Sequence, residues 1–147
     1  MLRLRADLPG ILSAYPVMLA YLYGSVAEGR ATTSSDVDIA LVFIAESNLT
    51  SYERIRAELN ITAEVERLCG IAEADVRSID NAPLKVQGRV ITAGILIYSR
   101  DESFRITYEN RIRSRYFDYL PTAHMIQKEF YKRIEQEGFH IARSRPD

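Results

Sequence analysis

The chain has 147 residues, 47% of them hydrophobic, and its 19 basic and 20 acidic side chains leave a formal charge of -1, so it can bury one core and is expected to form a single domain over residues 1–147. Balanced charge supplies no broad cationic surface for a phosphate backbone, which argues against nucleic acid as a direct partner. The lone Cys69 cannot close an internal disulfide, no signal-like N-terminus is evident and the apolar runs are too short to span a bilayer, so a cytoplasmic protein with no membrane role is expected.

The opening LRLRADLPGILSAY has Leu4, Leu8, Ile11, Leu12 and Tyr15 at helical spacing, with Asp7 placed to cap a helix that holds Pro9 and ends near Pro16. VMLAYLY (17–23) and DVDIALVF (36–43) are short apolar runs suited to buried central strands, joined by a polar segment composed like a helical turn and loop. Residues 51–71 read as a surface helix, loosened around 60–62 and ended by Gly70, with its apolar side set by Tyr52, Ile55, Leu59, Ala63 and Leu68. ADVRSID (74–80) suits a strand, 83–93 a helix and GILIYS (94–99) a last strand. Asp101 should cap a C-terminal helical segment over 101–137, with Phe104, Tyr108, Ile112, Tyr116 and Leu120 inward, a break at Pro121 and fraying after Gly138. Strands and helices thus alternate in an α/β (α+β) unit.

The chemistry concentrates in GSVAEGRATTSSDVD, Gly24 to Asp38, between the first two strands. Gly24 permits a tight strand exit, so that backbone N–H groups and the Ser25 hydroxyl can face one anion, such as a phosphate. Asp36 and Asp38 are one residue apart, and alternate strand side chains share a face. Two adjacent carboxylates repel each other unless a cation neutralises them, and hard oxygen ligands favour magnesium or manganese.

Gly-Ser, ten residues, then Asp-x-Asp resembles the signature of the DNA polymerase β-like nucleotidyltransferases. The text YLYGSVAEGRATTSSDVDIALVF further resembles the minimal nucleotidyltransferases, many of which are antitoxins of HEPN ribonuclease toxins. The resemblance implies a palm-like fold with a small mixed sheet of about four strands and a third metal-binding carboxylate on a later strand. Asp75 is the better match for it and Asp80 the second choice. Many relatives carry arginine where this chain has Glu28, and Arg30 is the candidate to replace it near the phosphates. It also implies magnesium, ATP as nucleotide donor, and AMP transfer to a tyrosine hydroxyl of a HEPN toxin partner. An antitoxin acting by occlusion alone and an enzyme acting on a small molecule such as an aminoglycoside are the alternatives.

The remaining candidates read as structural. His124 and His140 lie far from the motif and suit a helix surface, and Cys69 suits a packed thiol. Arg133 and His140 have the spacing of a HEPN ribonuclease motif, but the chain lacks room for the second helical domain that reading requires. The arginines between Arg105 and Tyr119 would face a docking partner.

Overall fold

A computed structural model describes residues 2–24 and 36–144. Helix α1 (Leu2–Leu12) leads into strand β1 (Val17–Tyr23), and β2 (Val37–Phe43) precedes helix α2 (Ser51–Cys69). Then follow β3 (Ala74–Ser78), α3 (Leu84–Ala93), β4 (Ile95–Ser99) and the long α4 (Glu102–Ser144). The strands form one four-stranded sheet in the order β3-β2-β1-β4. β1 runs antiparallel to β2 and β4, while β2 and β3 are parallel, so the sheet is mixed and β1 and β2 are central.

Alternation along the central strands divides the core between two faces. Ile39, Leu41 and Phe43 of β2 meet Leu4, Leu8, Ile61 and Val65 of α1 and α2. Ala40 and Val42 point the other way, with Tyr21 and Leu19, toward Val90 and Ile91 of α3 and Tyr108 and Ile112 of α4. β1 and β2 are thus covered on both faces, which accounts for their nearly unbroken apolar sequence.

Helix α2 corrects the expected stripe. Its buried residues are Ala57, Ile61, Val65 and Cys69, whereas Tyr52, Ile55, Leu59 and Leu68 are exposed. Both sets have helical spacing, and the sheet edge selects between them. On the buried flank, Glu66 accepts a hydrogen bond from the Ala74 N–H (3.0 Å) and Glu58 from the Ser78 N–H (2.8 Å), so α2 satisfies backbone donors of edge strand β3. Residues 60–62 continue the helix without loosening, with Ile61 fully buried. A capping box joins Thr50 and Glu53 at one end, and Gly70, at φ 66°, closes the other.

Both proline expectations also change. α1 begins at Leu2, with Asp7 and Pro9 inside it, because burying Leu4 along with Leu8 and Leu12 requires a turn before Asp7. It ends at Leu12, short of Pro16. α4 passes through Pro121 without a break and through Gly138 to Ser144. The surroundings of Pro121 are exposed, so water can take the carbonyl that proline leaves unpaired. Asp101 does cap α4, accepting from the Phe104 N–H at 3.2 Å. Gly88 lets α4 lie close on α3, since a Cβ there would meet the Tyr116 ring at 2.1 Å. Among the described residues no helix is long and apolar enough to cross a membrane.

Candidate active site

One end of the sheet gathers Asp36 and Asp38 of the motif with Asp75. Tyr23 of β1 pairs with Asp38 of β2, which pairs in turn with Asp75 of β3. Register partners share a face, so these three side chains form a row across adjacent strands on the α3 side. Asp36 immediately precedes β2, and its neighbour on the β3 side is Glu73, whose carbonyl accepts the Val37 N–H at 3.1 Å. Two parallel strands starting at the same level therefore bring Asp36, Asp38, Glu73 and Asp75 to one sheet end.

Their electrostatics follow from crowding. Partial burial, then the charges of Asp75 and Asp36, raise the Asp38 carboxyl above its ordinary pKa, while Arg77 opposes the shift. Glu73 is raised chiefly by the Asp36 carboxylate and by a hydrogen bond to it. Arg77, two residues along β3, reaches back to Asp75, with Nε donating to Oδ1 at 3.0 Å. The Tyr23 hydroxyl is raised first by burial and then by Asp38 and Asp75. Glu73 and Arg77 were missed in the sequence; their signal was alternation, since each stands two residues from Asp75 on the same strand face.

Gly24 leaves β1 at φ 77°, a left-handed conformation that suits glycine. A Cβ at this position would lie 2.4 Å from Asp38 Oδ2, so the missing side chain is also what lets the carboxylate approach the strand exit. Ser25 and Arg30 lie outside the described residues, as does Glu28.

Asp80 occupies a different place. It accepts the Phe43 N–H at 3.2 Å, at the end of β2 remote from Asp38, and burial raises its pKa. His124 is exposed on α4 and Cys69 is buried at the end of α2; neither belongs to the row.

Among the described residues no three acidic, histidine or cysteine side chains converge closely enough to hold a metal ion as they stand. The donor chemistry nevertheless fits a hard divalent cation: the carboxylates are crowded and Asp38 is penalised for its charge, which among the described residues Arg77 partly offsets. Beside the row, a cavity of about 200 Å³ lies between the end of β1 and α3.

The polymerase β nucleotidyltransferase family model matches residues 7–103, from α1 through the start of α4. The chain belongs to the polymerase β nucleotidyltransferase family. Several solved structures share the fold of this nucleotidyltransferase, these three among them. A toxin–antitoxin with AMP-PNP has a TM-score of 0.64 at 14% identity, over 89% of this chain and 98% of the other. The toxin–antitoxin MntA-HepT has a TM-score of 0.62 at 16% identity, over 86% and 96%. A tri-AMPylated HEPN toxin of Shewanella oneidensis in complex with an MNT antitoxin has a TM-score of 0.63 at 16% identity, over 86% and 95%. No curated protein matches this nucleotidyltransferase in sequence.

Proposed function

We propose that this nucleotidyltransferase is an antitoxin that transfers AMP from ATP to a hydroxyl, that of a tyrosine, on a HEPN ribonuclease toxin in the cytoplasm. The observation that carries the reading is the placement of Asp38 in register with Asp75, two residues from Asp36 and against the Cβ-free exit at Gly24. The similar structures support the same chemistry, one with AMP-PNP and one with a tri-AMPylated HEPN toxin beside its MNT antitoxin.

Asp36, Asp38 and Asp75 would hold magnesium, which would neutralise charge on the triphosphate and lower the pKa of the attacking hydroxyl. The Gly24 strand exit and the Ser25 hydroxyl would bind the phosphates, with Arg30 nearby. Asp75 would orient the acceptor hydroxyl and take up its proton. The acceptor oxygen forms a bond to the α-phosphorus, the bond from that phosphorus to the bridging oxygen breaks, and pyrophosphate leaves. Positioning and electrostatics supply most of the acceleration.

The test incubates the chain and its partner with magnesium and each nucleoside triphosphate, then reads the partner's intact mass. Addition of adenylate to the partner, lost when Asp36 and Asp38 are both changed to alanine, is the expected result. A partner bound and inhibited without a mass change would favour occlusion, and label only on added small molecules would favour a small-molecule acceptor.

A further inference from the structure

The end of the sheet opposite the carboxylate row holds a second cavity, of about 300 Å³, between the end of β2 and the start of α2. Arg54 and Asp80 are the charged residues of its lining, and Phe43, Ile44, Ala45 and Leu49 supply apolar walls. The two charges are neighbours without being partners. Asp80 accepts the Phe43 N–H through Oδ2, and the charge of Arg54 acts on its carboxyl, yet the two side chains form no ion pair with each other. The Arg54 guanidinium lies 6.0 Å from the centre of the Phe43 ring, and its Nε is buried without a hydrogen-bond partner among the described residues. Glu58, the other carboxylate that acts on Asp80, already accepts the Ser78 N–H.

We infer that this cavity binds a free amino acid with an apolar side chain, its ammonium group on Asp80 and its carboxylate on Arg54. The charge pattern selects a zwitterion. A simple anion would be attracted by Arg54 and repelled by Asp80, and a simple cation the reverse, whereas a molecule carrying both charges side by side answers both. The planar guanidinium can hold a carboxylate through a pair of N–H donors, and a carboxylate can accept from an ammonium group.

Size agrees with that assignment: about 300 Å³ stands at the bottom of the roughly 300–1,000 Å³ of sites that enclose a drug-sized ligand. The apolar walls then take the side chain, so leucine should bind better than glycine. Asp38 and Phe43 lie at opposite ends of β2, so the site is separate from the carboxylate row and the inference does not depend on the proposed transfer.

Calorimetric titration of the full chain with leucine, glycine, isocaproate and isoamylamine tests this. Isocaproate lacks the ammonium group of leucine and isoamylamine lacks its carboxylate, so each should bind at least about tenfold more weakly than leucine. Asp80→Asn keeps an acceptor for the Phe43 N–H but loses the charge, and should weaken leucine by a similar factor. Arg54→Gln should do the same from the other side of the cavity, and it serves as the second variant if the first does not fold. Changing Asp36 and Asp38 together to alanine should leave leucine binding unaltered, whether or not it abolishes transfer. Absence of saturable leucine binding would overturn the inference, as would isocaproate or isoamylamine binding as tightly as leucine. Unchanged leucine affinity in a folded Asp80 or Arg54 variant, or its loss in the Asp36 and Asp38 variant, would overturn it as well.

Discussion

Two constraints meet at Gly24. Its positive φ makes any other residue costly by about 1–2 kcal/mol, and the Asp38 carboxylate lies where a Cβ would project. Gly24→Ala is therefore expected to lower stability by about that amount and to reduce nucleotidyl transfer far more, because relieving the clash moves Asp38. Denaturant titration beside a transfer assay separates the two effects. Tyr108 gives a second residue-level case. Its hydroxyl is buried without a hydrogen-bond partner among the described residues, and burial, followed by the charge of Asp80, pushes its pKa from 10.0 up to about 12. The folded state thus holds this proton where the unfolded chain has lost it. The stability linked to it is full below pH 10 and is lost as pH rises toward about 12. Tyr108→Phe should flatten that decline in alkaline unfolding curves and be neutral or stabilising by about 1 kcal/mol at neutral pH, since it removes an unsatisfied group.

At the scale of elements, α2 gives a direct comparison between two stripes of similar hydrophobicity. Ile61→Ala should cost about 2–5 kcal/mol because its side chain is fully buried, whereas Leu59→Ala, two residues earlier, should stay within about 0.5 kcal/mol. Urea midpoints of the two variants decide it, and equal losses would mean that the helix is turned otherwise. The joint between α3 and α4 is equally specific. Gly88→Ala would drive a methyl into the Tyr116 ring, so it should loosen α4 while leaving the sheet intact. Hydrogen exchange should show that as faster exchange in the Glu102–Leu120 part of α4. What opposes that loosening on the sheet side is the Tyr21 hydroxyl, which donates to Glu109 Oε1 at 2.8 Å while Arg105 holds the other carboxylate oxygen of Glu109 at 2.9 Å.

Across the whole molecule, α4 has two unlike halves. Before Pro121 it packs on the sheet through Tyr108 and Ile112; beyond it, Met125, Ile126, Phe130, Tyr131 and Ile134 are all exposed. The expected arginine surface is divided: Arg105 is engaged by Glu102 and Glu109, while Arg111, lying 5.7 Å from the Tyr108 ring, remains exposed. Removing the chain after Leu120 should therefore change the melting temperature little. On the proposed function it should weaken partner binding at least tenfold, as measured by calorimetry against the purified toxin. Local periodicity and punctuation were enough to specify the two central strands, Gly70 as a helix stop, the Asp101 cap, and the one-residue spacing of Asp36 and Asp38 at the start of β2. The Gly24 turn and the family signature were legible for the same reason, since all their parts lie within one short stretch. Which stripe of α2 is buried was settled by packing, because Ile55 and Ile61 are equally apolar and the choice depends on edge strand β3 and the glutamates that meet it. The tertiary structure also placed Asp75 beside Asp38, sent Asp80 to the far end, and brought Glu73 and Arg77 to the row, because strand register is a pairing between distant segments. Periodicity along one segment carries no information about such a pairing.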